Sequence, residues 1–190
     1  EDINADGKLD IISGSGSGVS ILINNSTGAG SISFASAVNL NGSYADVLRV
    51  ADFDLDGKLD LVTIRSTSVA IYKNISTSSF NLAAAQIVNI PTLTSCTGLG
   101  VGDFNKDLKP DIVVSNSLST SILLNGSSVG SISFPNNLIL SGGINSKNVD
   151  NALKTNSWCL DLNSGVESQE GIKNIELVKE ILKTIETYGI

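Results

Sequence analysis

The sequence contains no histidine. Serine–histidine–aspartate and cysteine–histidine catalysis are therefore excluded, as is any histidine-ligated zinc site. Cysteine occurs only twice, at Cys96 and Cys159, in segments of different character. That pair makes no disulfide framework, and neither thiol has a catalytic partner in the sequence. No apolar run approaches the ~18 residues of a membrane span. Bases are scarce: 12 Lys and Arg stand against 19 Asp and Glu, a net charge of −7, which argues against a nucleic-acid partner. An initiator Met and a signal-peptide pattern are lacking too. The chain opens at Glu1, inside a motif, and reads as a fragment holding one or two domains.

What is present is unevenly spread. Residues 1–137 carry 12 acids, of which eleven are Asp, and 7 bases. Residues 138–190 carry 7 acids and 5 bases, and five of the acids are Glu in the last 24 positions. The first segment is rich in Ser, Thr, Asn and Gly with β-branched runs, a strand-and-turn composition. The end of the second has helix composition.

A period of about fifty governs the first segment. "DINADGKLDII" starts at Asp2, "DFDLDGKLDLV" at Asp52 and "DFNKDLKPDIV" at Asp103. Repetition at such a fixed interval signals a repeat architecture, with propeller blades among the options. Each unit reads as four short antiparallel strands separated by turn residues, one blade of a β-propeller. "SISFASA" and "SISFPNN" are expected to supply fourth strands. Ten of the eleven Asp residues lie in the three acidic loops; only Asp46 does not.

Alternating oxygens in a tight turn converge on a point, and calcium takes six to eight oxygens at ~2.3–2.6 Å. The expected ligands of the second loop are Asp52, Asp54, Asp56, Asp60 and the Lys58 carbonyl, with Gly57 supplying a left-handed turn. The first loop offers Asp2, Asn4, Asp6, Asp10 and the Lys8 carbonyl, with Gly7. The third offers Asp103, Asn105, Asp107, Asp111 and the Lys109 carbonyl. This is not an EF-hand, because position twelve is Ser13, Thr63 or Val114 rather than Glu. Four carboxylates in the second loop, and Leu108 where the third needs its turn glycine, predict affinities in the order two, one, three. The Asn-x-Ser/Thr sequons at Asn24, Asn25, Asn41, Asn74 and Asn125 are expected by chance in so Asn- and Ser-rich a sequence.

These units resemble FG-GAP/VCBS repeats over residues 1–137. The resemblance implies calcium-loaded blades of an extracellular or cell-surface scaffold that contacts protein or carbohydrate. Closed propellers need about four to eight blades, so roughly three blades make an incomplete one.

The segment from Leu138 has no acidic loop. "LILSGG" reads as a buried strand, "NSKNVDNALKTN" as a helix capped by Asn145 or Ser146, "SWCLDLNSG" as a second strand. "IKNIELVKEILKTIETYG" reads as an amphipathic helix with Ile175, Val178, Ile181, Leu182 and Ile185 as its stripe and Gly189 as its stop. The order β-α-β-α makes the strands parallel. Both strands end in turns, Gly142–Gly143 and Ser164–Gly165, whose backbone N–H groups suit an anion.

"LSGGINSKNV" followed by "LDLNSGVESQEGIKN" resembles the last two βα units of phosphoribosylanthranilate isomerase, a tryptophan-biosynthesis (β/α)8 barrel. That resemblance implies a sugar-phosphate held by Gly142, Gly143, Ser164 and Gly165, with Asp161 and Asn163 at the substrate mouth. It places the acid and base of the Amadori rearrangement on strands with no counterpart here, and one carboxylate at Asp161 cannot do both jobs.

The expected fold is therefore mainly β: an incomplete propeller over 1–137, then a β-α-β-α piece of a barrel over 138–190. The expected function is that of a composite, a calcium-binding extracellular scaffold joined to a cytoplasmic-type phosphate site and inactive as an isomerase. The competing reading is phosphoribosylanthranilate isomerase represented only by its C-terminal part.

Overall fold

The computed structural model describes residues 1–41, 45, 47–90, 95–117, 120–135, 138–141, 143–154, 159–162 and 164–188. Short β-branched runs become strands wherever Gly, Ser and Asn punctuate them. β1 (Ile11–Ser15), β2 (Gly18–Leu22) and β3 (Val38–Asn41) form a three-stranded antiparallel sheet. β4 (Leu48–Ala51), β5 (Asp60–Arg65), β6 (Ser68–Tyr72) and β7 (Gln86–Asn89) form a four-stranded antiparallel meander. β8 (Gly98–Gly102), β9 (Asp111–Ser115), β10 (Thr120–Leu123) and β11 (Leu138–Ser141) repeat that meander. α1 (Val149–Leu153) then leads to β12 (Cys159–Asp161), which pairs parallel to β11 as a fifth strand. A 3-10 turn at Ser164–Val166 precedes a small hairpin, β13 (Glu167–Gln169) and β14 (Ile172–Lys173), and α2 (Ile175–Thr187) follows. The chain is mainly β, built of antiparallel sheets, and no barrel closes among the described residues.

Two expectations about the strands are corrected. Among the described residues the first sheet has three strands, with no counterpart of β4 and β8, the strands that precede the second and third acidic loops. The "SISF" stretches are not fourth strands. They fold back on the end of the third strand of each unit, with Ala35 N–H donating to the Ile23 carbonyl at 2.8 Å and Gly126 N–H to Ser133 at 2.9 Å. Gly30 and Gly130, both at φ 80°, turn the tips. The fourth strands come later, as β3, β7 and β11. β11 therefore belongs to two arrangements: it completes the third antiparallel sheet and opens the parallel pair with β12.

The second sheet lies between two cores and divides its side chains by the strand period of two. Leu61, Ala70 and Tyr72 enter one core with Ile3, Val19 and Ile21 of the first unit. Val62, Ile64, Val69 and Ile71 enter another with Leu99, Ile112 and Val114 of the third. Buried on both faces, β6 has no exposed residue. The second core continues into the last quarter through Ile144, Val149, Ala152, Val166 and Ile181.

In α2, Asn174 caps the helix by accepting from the N–H groups of Glu176 and Leu177. Ile181 is fully buried, with Leu177, Val178 and Ile185 packed beside it, whereas Ile175 and Leu182 are exposed. The buried stripe is thus narrower than the periodicity predicts, because a single-sided contact with α1 and the turn at 164–166 covers one face only. Asn148, not Asn145 or Ser146, holds the N-cap position of α1, without a side-chain cap bond; Asn145 closes the preceding turn. Gly189 lies outside the described residues.

Candidate functional site

All three acidic loops are wound by the same bonds. The first Asp accepts two backbone N–H groups: Asp2 from Asp6 at 3.0 Å and Gly7 at 2.8 Å, Asp52 from Asp56 at 3.0 Å and Gly57 at 2.8 Å, Asp103 from Asp107 at 3.1 Å and Leu108 at 3.0 Å. The third Asp-type position holds the next lysine N–H, as Asp6 does for Lys8, Asp56 for Lys58 and Asp107 for Lys109. Two left-handed residues bend each loop. One is the glycine site, Gly7 and Gly57, where Leu108 takes φ 68° in the third loop. The other, which the sequence did not suggest, is Ala5, Leu55 and Lys106.

The last Asp of each loop is a bracket. Both oxygens of Asp60 accept backbone N–H groups, from Phe53 at 3.0 Å and Asn74 at 2.8 Å. Asp10 holds Ile3 and Asn24 in the same way, and Asp111 holds Phe104 and Asn125. Each thus ties its loop to the residue just past the unit's third strand. Those asparagines belong to sequons expected by chance; the structure gives them a role. Asn74 Nδ2 donates to Leu59 at 3.0 Å and to Ile3 of the preceding unit at 2.9 Å. Asn125 Nδ2 donates to Pro110 at 2.9 Å and to Phe53 of the preceding unit at 2.8 Å. Both side chains are buried, and a glycan on either nitrogen is incompatible with these bonds. Their recurrence at the loop period was the available signal.

Stacking decides how buried each loop is. The third unit covers the second loop: Gly130 N–H donates to the Asp54 carbonyl at 3.3 Å, and Phe134 packs edge-on against Phe53 with centroids 5.7 Å apart. Asp54 and Phe53 are fully buried, whereas Phe104, at the place of Phe53, is 50% exposed. Asp103, Asn105 and Asp107 are exposed as well.

The second loop alone brings three carboxylates together among the described residues: Asp52, Asp54 and Asp60 place one oxygen each within 4.8 Å of one another. Oxygens around one calcium lie at most roughly 5 Å apart, so the spacing fits, and the donor set is all oxygen. Asp54 Oδ1 is buried without a hydrogen-bond partner, an unmet acceptor of the kind a cation would satisfy. Burial raises the Asp60 pKa to about 6, against the pull of its two backbone bonds, and the nearby charges of Asp54 and Asp56 add to the rise. Lys73 donates to Asp54 and, at 3.1 Å, to Asp56. Burial depresses the Lys73 pKa, but those two carboxylates outweigh it and hold the ammonium above its ordinary value. Lys8 and Lys58 lie 3.8 and 3.9 Å from Asp6 and Asp56, and Lys109 donates to the Ser127 carbonyl at 2.8 Å.

The two turns of the last quarter abut. A Cβ on Gly165 would lie 1.5 Å from the Ile144 carbonyl oxygen, so glycine is required there for backbone packing. Gly143, at φ 66°, presents its carbonyl to the side chains of Asn145 and Asn148 at 2.9 and 2.8 Å. Ser164 opens the 3-10 turn and is exposed. Asp161 ends β12 opposite Ser141 of β11. Gly142 and Asn163 lie outside the described residues.

Comparison with known proteins gives two families. The family described as FG-GAP-like repeat matches residues 2–63 and 52–114. The family described as N-(5'phosphoribosyl)anthranilate (PRA) isomerase matches residues 108–184. A Campylobacter jejuni N-(5'-phosphoribosyl)anthranilate isomerase is 45% identical over 53 residues, 28% of this chain and 27% of the relative. A Buchnera aphidicola protein named tryptophan biosynthesis protein TrpCF is 46% identical over 52 residues, 27% of this chain and 12% of the relative. The chain spans about a quarter or less of the length of these curated relatives. No solved structure matches it. The PRA isomerase match takes in β9 and β10, which pair antiparallel, while the parallel pairing lies at β11 and β12. With residues 108–184 similar to the PRA isomerase family and more than half of its residues matched by the repeat model, the chain belongs to the FG-GAP-like repeat family.

Proposed function

We propose that the repeats form a calcium-binding scaffold of propeller-type blades, of the extracellular or cell-surface kind, that contacts protein or carbohydrate. The observation that carries this reading is the buried, unpartnered Asp54 Oδ1 beside Asp52 and Asp60. Bound calcium would neutralise carboxylates that otherwise repel one another in a low-dielectric turn. The ligands are those of the three loops: Asp52, Asp54, Asp56 and Asp60 in the second, with the Asn-containing sets around Asp2 and Asp103 flanking it. Calorimetric titration of chelator-stripped chain with calcium tests the proposal. Saturable heat with a rise in melting temperature is expected; neither heat nor a rise overturns it.

The last quarter supports a second statement, that the chain keeps the phosphate end of a PRA isomerase-like barrel without its catalysis. Its two abutting turns, Gly143 with Ser164 and Gly165, offer backbone N–H groups to a sugar-phosphate, but a proton shuttle across a sugar needs an acid and a base. Asp161 is the one carboxylate the resemblance puts at the mouth. Inorganic phosphate is expected to shift the amide resonances of Gly143, Ser164 and Gly165. Turnover of phosphoribosylanthranilate by the purified chain would overturn the inactive assignment.

A further inference from the structure

Two positions of the repeat change together. The third loop position is Asn4, Asp54 or Asn105, and the residue before the bracketing asparagine is Ile23, Lys73 or Leu124. The second unit alone has a carboxylate at the first position, and it alone has a cation at the second. The fold joins them: Lys73, on the segment that leaves β6, reaches the loop and donates to Asp54 and Asp56. Asp54 is fully buried, and among the described residues Lys73 is the one donor to its carboxylate, on Oδ2. The extra negative charge of the second loop is thereby matched by an extra positive one. Four carboxylates with this ammonium carry the same formal charge as the three carboxylates of either flanking loop.

We propose that Lys73 is a tethered counter-cation for Asp54, a residue that sets the ion affinity of the second loop. Without a divalent ion the ammonium neutralises a carboxylate that burial makes costly. A calcium ion drawing on Asp54 and Asp56 must share or displace that ammonium, so the carboxylate count overstates the affinity of this loop. The competition half of the proposal rests on the calcium reading; the neutralisation half does not.

The test is a double-mutant cycle on the full chain, Lys73→Met, Asp54→Asn and both together, the last recreating the amide–apolar combination of the flanking units. Melting is measured in chelator. Lys73→Met is expected to melt about 5 °C below the parent, and adding Asp54→Asn is expected to return most of that loss. Equal melting of Lys73→Met and the parent, or a double variant no better than Lys73→Met, overturns the proposal. If Lys73→Met does not fold in chelator, a folded double variant supports the proposal and an unfolded one overturns it. Calcium titration is the second arm, with Lys73→Met expected to bind about tenfold or more tightly than the parent at one site. Unchanged or weaker affinity overturns the competition. Absence of calcium binding in every variant, with coupling intact in chelator, sinks the calcium reading and leaves the counter-cation standing.

Discussion

Asp60 shows what burial does to one carboxyl in this chain. Its folded pKa of about 6 lies above the ordinary 3.8, so between those values the folded chain holds a proton the unfolded chain has released. The stability from that proton is fully present below about pH 4 and is lost as pH rises through 6. A carboxyl resonance of Asp60 titrating near pH 6 in chelator, and moving to lower pH when calcium is added, is the expected observation. Leu108 is the second case. It is 84% exposed at φ 68°, so its left-handed backbone costs ~1–2 kcal/mol with no packing in return. Leu108→Gly is expected to stabilise the chain by about 1 kcal/mol in urea unfolding. A neutral or destabilising result would show that the third loop relaxes without glycine.

At the scale of elements, the loops and sheets are joined less by strand pairing than by two polar side chains per unit. The bracketing Asp ties loop to strand end, and Asn74 and Asn125 tie unit to unit. Asn125→Ala leaves the carbonyls of Phe53 and Pro110 and the N–H of Ser127 without partners. The expected cost is about 2–4 kcal/mol, since buried groups stripped of a partner each cost roughly 1–3. Asn24→Ala should cost less, because its one side-chain donation, to Leu9, is exposed. Urea midpoints of the two variants and of Asn74→Ala decide the order. The acidic loops and the number of units were legible in sequence, because a loop is wound by bonds among residues at most five to seven positions apart. The fourth strands are not legible there, because Ser-Ile-Ser-Phe alternates like a strand while Gly30 and Gly130 bend it back onto the end of the third strand.

At the scale of the molecule, one core runs from Phe53 in the second loop to Ile181 in α2. The last quarter is therefore joined to the repeats by shared apolar packing as well as by β11. Ile181→Ala is expected to cost about 2–5 kcal/mol and to lower one common unfolding transition, seen alike by repeat and helix probes. A separate early melting of α2 would refute the shared core. If the loops hold calcium as proposed, its removal is expected to act unequally. Amide exchange should rise most in the third loop, whose residues 103–108 are exposed, and least in the second, where Asn125, Gly130 and Phe134 close over it.

By itself the sequence determined the repeat period, the three acidic loops with their ligand-type residues, the helix stripe around Ile181 and the likeness of its two parts to two families. All of these are local patterns, written by spacing along the backbone. The tertiary structure alone decided which loop is buried, since that depends on the next unit lying over it. It also decided that Asn74 and Asn125 are interior braces, that Lys73 meets Asp54 and that β11 pairs antiparallel with β10 and parallel with β12 in one sheet. Each of these joins residues about twenty to seventy positions apart, where burial and backbone pairing rather than any local preference select the partner.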